Sequence, residues 1–306
     1  MGTFDTAVIG GGPAGITAAM YLVRSGCSVV QFESLTLGGQ VLTTDSLENY
    51  PGYPKGIKGW ELADLFAAHL DGLEIERRTS AVLGIEGEAG KFVLQTSEGP
   101  VNARTVVIAS GASHRPLGIE GEVRLRGRGV SYCAICDGNF FRGRPVAVVG
   151  GGNSALEEAL YLSKIVSKLY LIHRRDEFRA AEIYQKRVRE AGNIELVLSS
   201  VVDSLHGESD LEGITVKDVK TGALRDLAVD GLFVFVGMQP NTGFVPASMH
   251  LEKGFIVTDN EMRTSIPGIF AAGDVREKLC RQVVTAAGDG ATAAQAAFVF
   301  LEQLNA

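Results

Sequence analysis

Two glycine-rich signatures lying 140 residues apart limit what this 306-residue chain can fold into. The first, Gly10-x-Gly12-x-x-Gly15 with Pro13 and Ala14 inside it, follows an apolar run from Phe4 to Ile9 and opens an apolar stretch to about Ser25. A second apolar run, Cys27 to Phe32, ends on Glu33. Strand, glycine turn, helix and strand make one βαβ unit. Gly10 allows the tight turn, Gly12 admits a pyrophosphate to the backbone, and Gly15 lets helix and strand pack. The helix N-terminus favours phosphate charge, and an acid at Glu33 accepts hydrogen bonds from ribose hydroxyls. Shifted by 140, Gly150, Gly151, Gly152, Asn153, Ser154 and Ala155 fall on residues 10–15. Tyr21-Leu22 then falls on Tyr161-Leu162, and the strand 27–32 on 167–172. Ala155 replaces the third glycine, which the fingerprint permits.

The copy differs where a sugar is read. Glu33 falls on His173, which is followed by Arg174, Arg175 and then Arg179. An acid suits a free ribose hydroxyl and repels a 2′-phosphate. An arginine cluster suits the 2′-phosphate and can bind it bidentately. The two modules are therefore expected to hold different nucleotides.

Just before the second module lies Cys133-Ala134-Ile135-Cys136-Asp137. This spacing lets two sulfurs close, open and re-close a small disulfide ring. Alone, a C-x-x-C is as well read as half a zinc site. No second close Cys or His pair completes one, so no metal is expected. A thiol pair beside a nucleotide loop points to electrons arriving from a cofactor. Cys27 and Cys280 match no redox motif and read as buried thiols.

The remaining chain supplies the frame. Residues 34–59, with Gly39-Gln40 and Asn49, form a patternless loop of the length usually kept for function. Trp60 to Leu70 reads as a helix, and 74–85, 91–97 and 100–109 as a small β-meander. Ala109 and Gly111 end the buried strand near 106–112. Crossings near 113–118 and 238–244 divide the chain into 1–113, 114–243 and 244–306, one module inserted into the other. A last strand runs into Gly273-Asp274, where the acid can hold the ribityl chain or pyrophosphate end of a flavin. A helix follows, from about Gln282 to Leu304. The net charge of −7 argues against a general nucleic-acid binder. No apolar run reaches the ~18 residues of a membrane span, and no basic leader precedes the first strand, so a cytoplasmic location is expected.

Taken in order, these motifs resemble the low-molecular-weight, bacterial-type thioredoxin reductases over essentially the whole chain. The resemblance implies an α/β fold of two Rossmann-like dinucleotide-binding domains (three-layer ββα), the NADPH domain inserted into the FAD domain. FAD is then expected on Gly10, Gly12, Pro13, Ala14, Gly15, Glu33, Gly39, Gln40, Asn49, Ala109 and Gly111, and on Gly273, Asp274, Arg281, Gln282 and Val283 of the tail. NADPH is expected on Gly150, Gly152, Asn153, Ser154, Ala155, His173, Arg174, Arg175 and Arg179. Oxidised thioredoxin is the implied acceptor and a homodimer the implied assembly. Cys136 would be the sulfur nearest the flavin, Cys133 the one that attacks thioredoxin, and Asp137 the general acid or base. The cysteines and the nicotinamide site share one module, so that module is expected to rotate on its two crossings. The alternative reading is the same flavoenzyme with another electron partner: NADH, ferredoxin or a small dithiol.

Overall fold

The computed structural model describes residues 2–44, 46–47 and 49–306. By their contacts they form two compact units: Met1–Thr44 with Tyr50–Ser113 and Gln239–Ala306, and Asp45–Asn49 with His114–Met238. Six α-helices are present among the described residues: α1 (Pro13–Arg24), α2 (Gly59–Ala68), α3 (Ala134–Asp137), α4 (Asn153–Ser163), α5 (Glu182–Glu190) and α6 (Val283–Asn305).

In the first unit, parallel strands run in the order Ile75–Thr79, Val29–Glu33, Phe4–Ile9 and Val101–Ile108, and Ile269–Ala271 adds beyond the last. The long strand Val101–Ile108 joins the meander to the parallel strands within one seven-stranded sheet. Its first residues pair antiparallel with the meander (Ala103 with Phe92, Val101 with Leu94), and its last residues pair parallel with Ile269–Ala271. This shared strand carries the chain from meander to parallel sheet without a further connection. Phe4–Ile9 is buried on both faces: Ala7 and Ile9 pack with Phe32, Phe92 and Ile108, while Val8 packs with α1 and α6. Strands covered on both faces read as continuous apolar runs, which is why the sequence pattern identified them.

The second unit repeats this plan. Its parallel strands run Ile194–Val197, Lys168–Ile172, Pro145–Val149, Gly231–Val234, then Val130–Ser131. The fifth strand comes from upstream of the module here and from the tail of the chain in the first unit. A separate antiparallel sheet, Ser200–His206, Gly213–Asp218 and Leu224–Leu227, stands where the first unit has its meander. The connecting strands Ala112–His114 and Met238–Pro240 pair as a two-stranded ribbon.

α6 packs along α1 through a stripe of small residues, Ala286, Gly290, Ala293 and Ala297. A Cβ on Gly290 would lie 2.2 Å from the Ala14 carbonyl oxygen, so only glycine permits this approach. By length and composition α6 could cross a membrane, contrary to the expectation that no run is long enough. Its buried small-residue stripe marks it as a core helix of the first unit.

Local differences from the sequence reading have physical causes. The strand expected over 74–85 is two strands, Ile75–Thr79 and Val82–Glu88, broken at Ser80-Ala81. α5 went unseen because only Val188 of its nine residues is buried, leaving no apolar period. Cys280 is exposed and Cys27 only half-buried, so neither is the buried thiol expected. Burial and the Asp5 charge still push Cys27 up to about 11, which keeps it protonated and unreactive.

Candidate active site

α1 begins where the first signature ends. Its N-cap is Gly12, with no side-chain cap, and Pro13 takes a first-turn position where a missing N–H costs nothing. The next amides are left for an anion. Gly10 sits at φ +119°, and a Cβ there would meet the Ala109 oxygen at 2.2 Å. A Cβ on Gly15 would meet the Gly10 oxygen at 2.0 Å, whereas Gly12 has nothing nearer than 3.9 Å. Two glycines are thus needed by the protein itself and the third leaves space for a ligand.

Glu33 ends its strand with the carboxylate held by backbone: Oε2 accepts from the Gly11 N–H at 2.8 Å and Oε1 from the Leu35 N–H at 3.0 Å. A cleft of about 240 Å³ opens beside it, lined also by Gln31, Thr36, Arg77, Arg78 and Thr79. The two arginines were not singled out from sequence, having no motif around them. Gly39 turns at φ +59° against Gly12, and the Gly38 N–H donates to the Gly11 oxygen at 2.7 Å, so the start of the 34–59 loop lies on the signature. Gln40 follows in the 3₁₀ turn Gly39–Thr43. Asn49 is exposed and falls in the short segment grouped with the second unit. Ala109 is buried, and Gly111 turns at φ +69° into open space.

From the tail, Gly273 comes to the same helix end: its Cβ would lie 2.9 Å from that of Ala14. Asp274 is half-buried, its sealed Oδ1 has no partner, and loss of water around it raises its carboxyl above the usual range against the pull of Lys278 and Arg281. A buried carboxyl oxygen without a partner beside a phosphate-type loop is what a bound ligand's hydroxyl would complete. Gln282 caps α6, whose first residue is Val283. Arg281 is occupied within the protein: it stacks over Phe255 at 4.2 Å and donates to the carbonyls of Lys278 and Arg276.

In the second unit the same hydrogen bonds recur 140 positions on. Gly150 N–H donates to Ile172 as Gly10 does to Phe32, and Leu156 N–H to Gly152 as Ile16 does to Gly12. Gly150, at φ +155°, lies against Phe235 and Ala155, while Gly152 faces open space as the uncapped N-cap of α4. Asn153 Oδ1 accepts from the Ala181 N–H at 2.8 Å, and Ser154 is exposed. His173 does not project like an acid at the ribose position. It is buried under Gly151, whose Cβ would lie 2.2 Å from the ring, and stacks on Phe178. Burial, then the neighbouring arginines, hold its pKa below the usual histidine value, so the ring is neutral. Arg174, Arg175 and Arg179 are exposed, and among the described residues none of them forms an ion pair. Asp176, next to Arg175 in the chain, is paired with Lys220 at 2.8 Å. The Arg179 N–H donates to the Gly151 oxygen at 2.8 Å, setting the cluster beside the loop.

Cys133 and Cys136 are joined as a disulfide. Cys133 is the N-cap of α3 and its sulfur accepts from the Cys136 N–H at 3.2 Å. Cys133 is half-buried and Cys136 buried, so Cys133 is the more accessible residue of the pair. Asp137 Oδ2 accepts from Ser131 Oγ at 2.6 Å, and that hydroxyl also accepts from the Cys133 N–H at 3.1 Å. A carboxylate and a thiol-bearing backbone thus share one serine. Among the described residues no group of three or more His, Cys, Asp or Glu could hold a metal.

A disulfide poised for exchange and two dinucleotide modules of opposite sugar charge define a nucleotide-linked disulfide oxidoreductase. The comparisons agree. Residues 4–290 match the family model described as pyridine nucleotide-disulphide oxidoreductase. A thioredoxin reductase of Treponema pallidum is 43% identical over 302 residues, covering 99% of this chain and 98% of its own. The crystal structure of the Streptococcus pyogenes thioredoxin reductase superposes with TM-score 0.93 at 44% identity, covering 98% of this chain and 99% of that one. The Lactococcus lactis thioredoxin reductase, in a conformation designated FR, gives 0.68 at the same identity, covering 98% and 100%. The chain belongs to the pyridine nucleotide-disulphide oxidoreductase family, in its low-molecular-weight thioredoxin reductase branch. FAD and NADPH are the cofactors of that branch. The uncapped α1 terminus, the open face of Gly12 and the partnerless Asp274 oxygen fit FAD. The open face of Gly152 and the three unpaired arginines fit the phosphorylated nicotinamide nucleotide.

Proposed function

We propose that this chain is an NADPH-selective reductase of thioredoxin that works through the Cys133–Cys136 disulfide. The bridge carries the reading, with Cys133 the more accessible of the two residues and an acid tied to the same short segment. FAD held by the first unit would supply a two-electron carrier between the nicotinamide and the disulfide. The chain's own residues then manage sulfur and protons. Reduction opens the bridge to two thiols, and Asp137, oriented by Ser131, supplies or removes the proton that thiol and thiolate exchange. Cys133, as thiolate, attacks the partner's disulfide and forms a mixed disulfide, expelling one partner thiolate. Cys136 then attacks the Cys133 sulfur, releases the second partner thiolate and restores the bridge. The Cys136 N–H aimed at the Cys133 sulfur favours the thiolate on Cys133.

Glu33 and the Arg174, Arg175 and Arg179 cluster divide the nucleotides by charge. Hinging on the Ala112–His114 and Met238–Pro240 strands accounts for both half-reactions in a chain whose thiols and nicotinamide site share one unit. Two relatives of equal identity that superpose at 0.93 and 0.68 are what a family of two hinged units gives. A homodimer is the assembly that the family resemblance favours.

Anaerobic titration tests the reading. Wild-type protein should take up twice as much NADPH as the Cys136→Ser variant before its flavin absorbance is fully bleached, because two acceptors, FAD and the disulfide, are filled. Equal uptake would refute a disulfide in electron contact with the flavin.

A further inference from the structure

A buried ion cluster in the tail belongs to no sequence motif and is used by none of the steps above. It centres on one atom of α6, Asp289 Oδ2. This oxygen accepts from the Gly273 N–H at 3.0 Å and from Lys278 Nζ at 2.7 Å, and it lies 2.9 Å from an Arg276 guanidinium nitrogen as an ion pair. The three side chains are nearly sealed from water, at 11%, 10% and 12% exposure for Arg276, Lys278 and Asp289. Lys278 reaches on to Thr285 Oγ1 at 3.2 Å, and Thr285 closes the capping box of α6. One carboxylate thus ties together the turn at Gly273, the middle of the following loop and the start of α6.

The place of the cluster gives it a task. Gly273 lies against Ala14, and Gly290, the residue after Asp289, lies against the Ala14 carbonyl. Ala14 is in the first turn of α1, above which a dinucleotide's diphosphate would sit. Buried ion pairs seldom add stability over an apolar packing of the same volume, so stability alone is a weak reason for this one. Fixing a loop in one geometry is a stronger one.

We propose that Asp289 is the positioning residue of the FAD diphosphate cradle, holding the Gly273 turn against the α1 terminus through a single oxygen. The proposal rests on the reading of the first unit as the FAD unit. Electrostatics alone predicts the opposite effect on substitution, since removing an anion near a diphosphate would tighten binding.

Asp289→Asn keeps the size and removes the charge-assisted bonds. Protein stripped of FAD is titrated with FAD by fluorescence quenching, well below the melting temperature, with circular dichroism confirming the fold. Loss of one charge-assisted hydrogen bond's worth of loop order should raise the FAD Kd about tenfold. A Kd within about twofold of wild type, or a tighter one, would overturn the proposal. Should Asp289→Asn not fold, Lys278→Met carries the test, because it removes the ammonium that holds Asp289 Oδ2 and Thr285 Oγ1 in place and leaves Asp289 its contacts with Gly273 and Arg276. It should weaken FAD about threefold, of the order of one modest hydrogen bond, and an unchanged Kd would again overturn the proposal. Failure of the wild-type chain to take up FAD would refute the flavin reading and the proposal with it, whereas wild-type uptake with unaltered variants would refute the proposal alone.

Discussion

Replacing Arg174 and Arg175 together by alanine should cost NADPH far more than NADH. Both side chains are exposed and without an ion-pair partner among the described residues, and the adjacent Asp176 is held by Lys220, so the guanidinium groups are available to an anion. A hydrogen bond to a charged group is worth about 1.5–3 kcal/mol when sheltered. Exposure and salt reduce this, and about 1–1.5 kcal/mol for each arginine is a fair allowance. Two such losses total about 2–3 kcal/mol, or roughly 30- to 150-fold in affinity. NADH has no 2′-phosphate and should lose less than about threefold. Steady-state kcat/KM for each nucleotide at fixed ionic strength measures the split. Wild-type use of NADPH should also weaken as salt rises, and the double variant should lose most of that dependence. Equal losses for NADPH and NADH would refute the assignment of the arginines to a 2′-phosphate.

Other expectations follow from single contacts. Asp137→Asn should leave flavin reduction by NADPH unchanged in stopped-flow traces and slow thiol exchange about 10²- to 10⁴-fold, the range of general acid–base catalysis; an unchanged exchange rate would remove Asp137 from the mechanism. Burial, with Glu157 adding to it, pushes the Glu158 carboxyl up to about 7 from an ordinary 4.5. Between those values the unfolded chain has lost this proton and the native state still holds it, so this group's effect is to reduce stability as pH rises through that window, with no further change above it. Urea unfolding at pH 5 and pH 8 should show a smaller decline for Glu158→Gln than for wild type; parallel declines would contradict the shift. Gly290→Ala should destabilise the chain by about 1–3 kcal/mol because its Cβ meets the Ala14 oxygen at 2.2 Å. Gly288→Ala, with nothing within 4 Å, should be neutral or stabilising in the same thermal melts.

The doubled βαβ unit was legible because its strands are buried on both faces and its glycines are fixed by backbone collisions at Gly10, Gly15 and Gly150. The reversal of charge from Glu33 to the arginines could be read from spacing alone. What spacing did not show is how His173 is used: it lies at Glu33's position but turns under Gly151 to pack on Phe178. The helix α5 was hidden by its polar surface, and the upstream origin of strand Val130–Ser131 by its two-residue length. Asp289 was invisible for another reason. Arg276, Lys278 and Asp289 become a cluster only once the loop folds back on α6, and no local pattern encodes that return.

The central claim is that electrons reach a protein partner only through the bridge between Cys133 and Cys136. The direct measurement is thioredoxin reduction by the double variant Cys133→Ser/Cys136→Ser, with NADPH-driven bleaching of the flavin followed in the same sample. The flavin should still bleach while thioredoxin reduction falls to background. Reduction of thioredoxin at the wild-type rate would contradict the account.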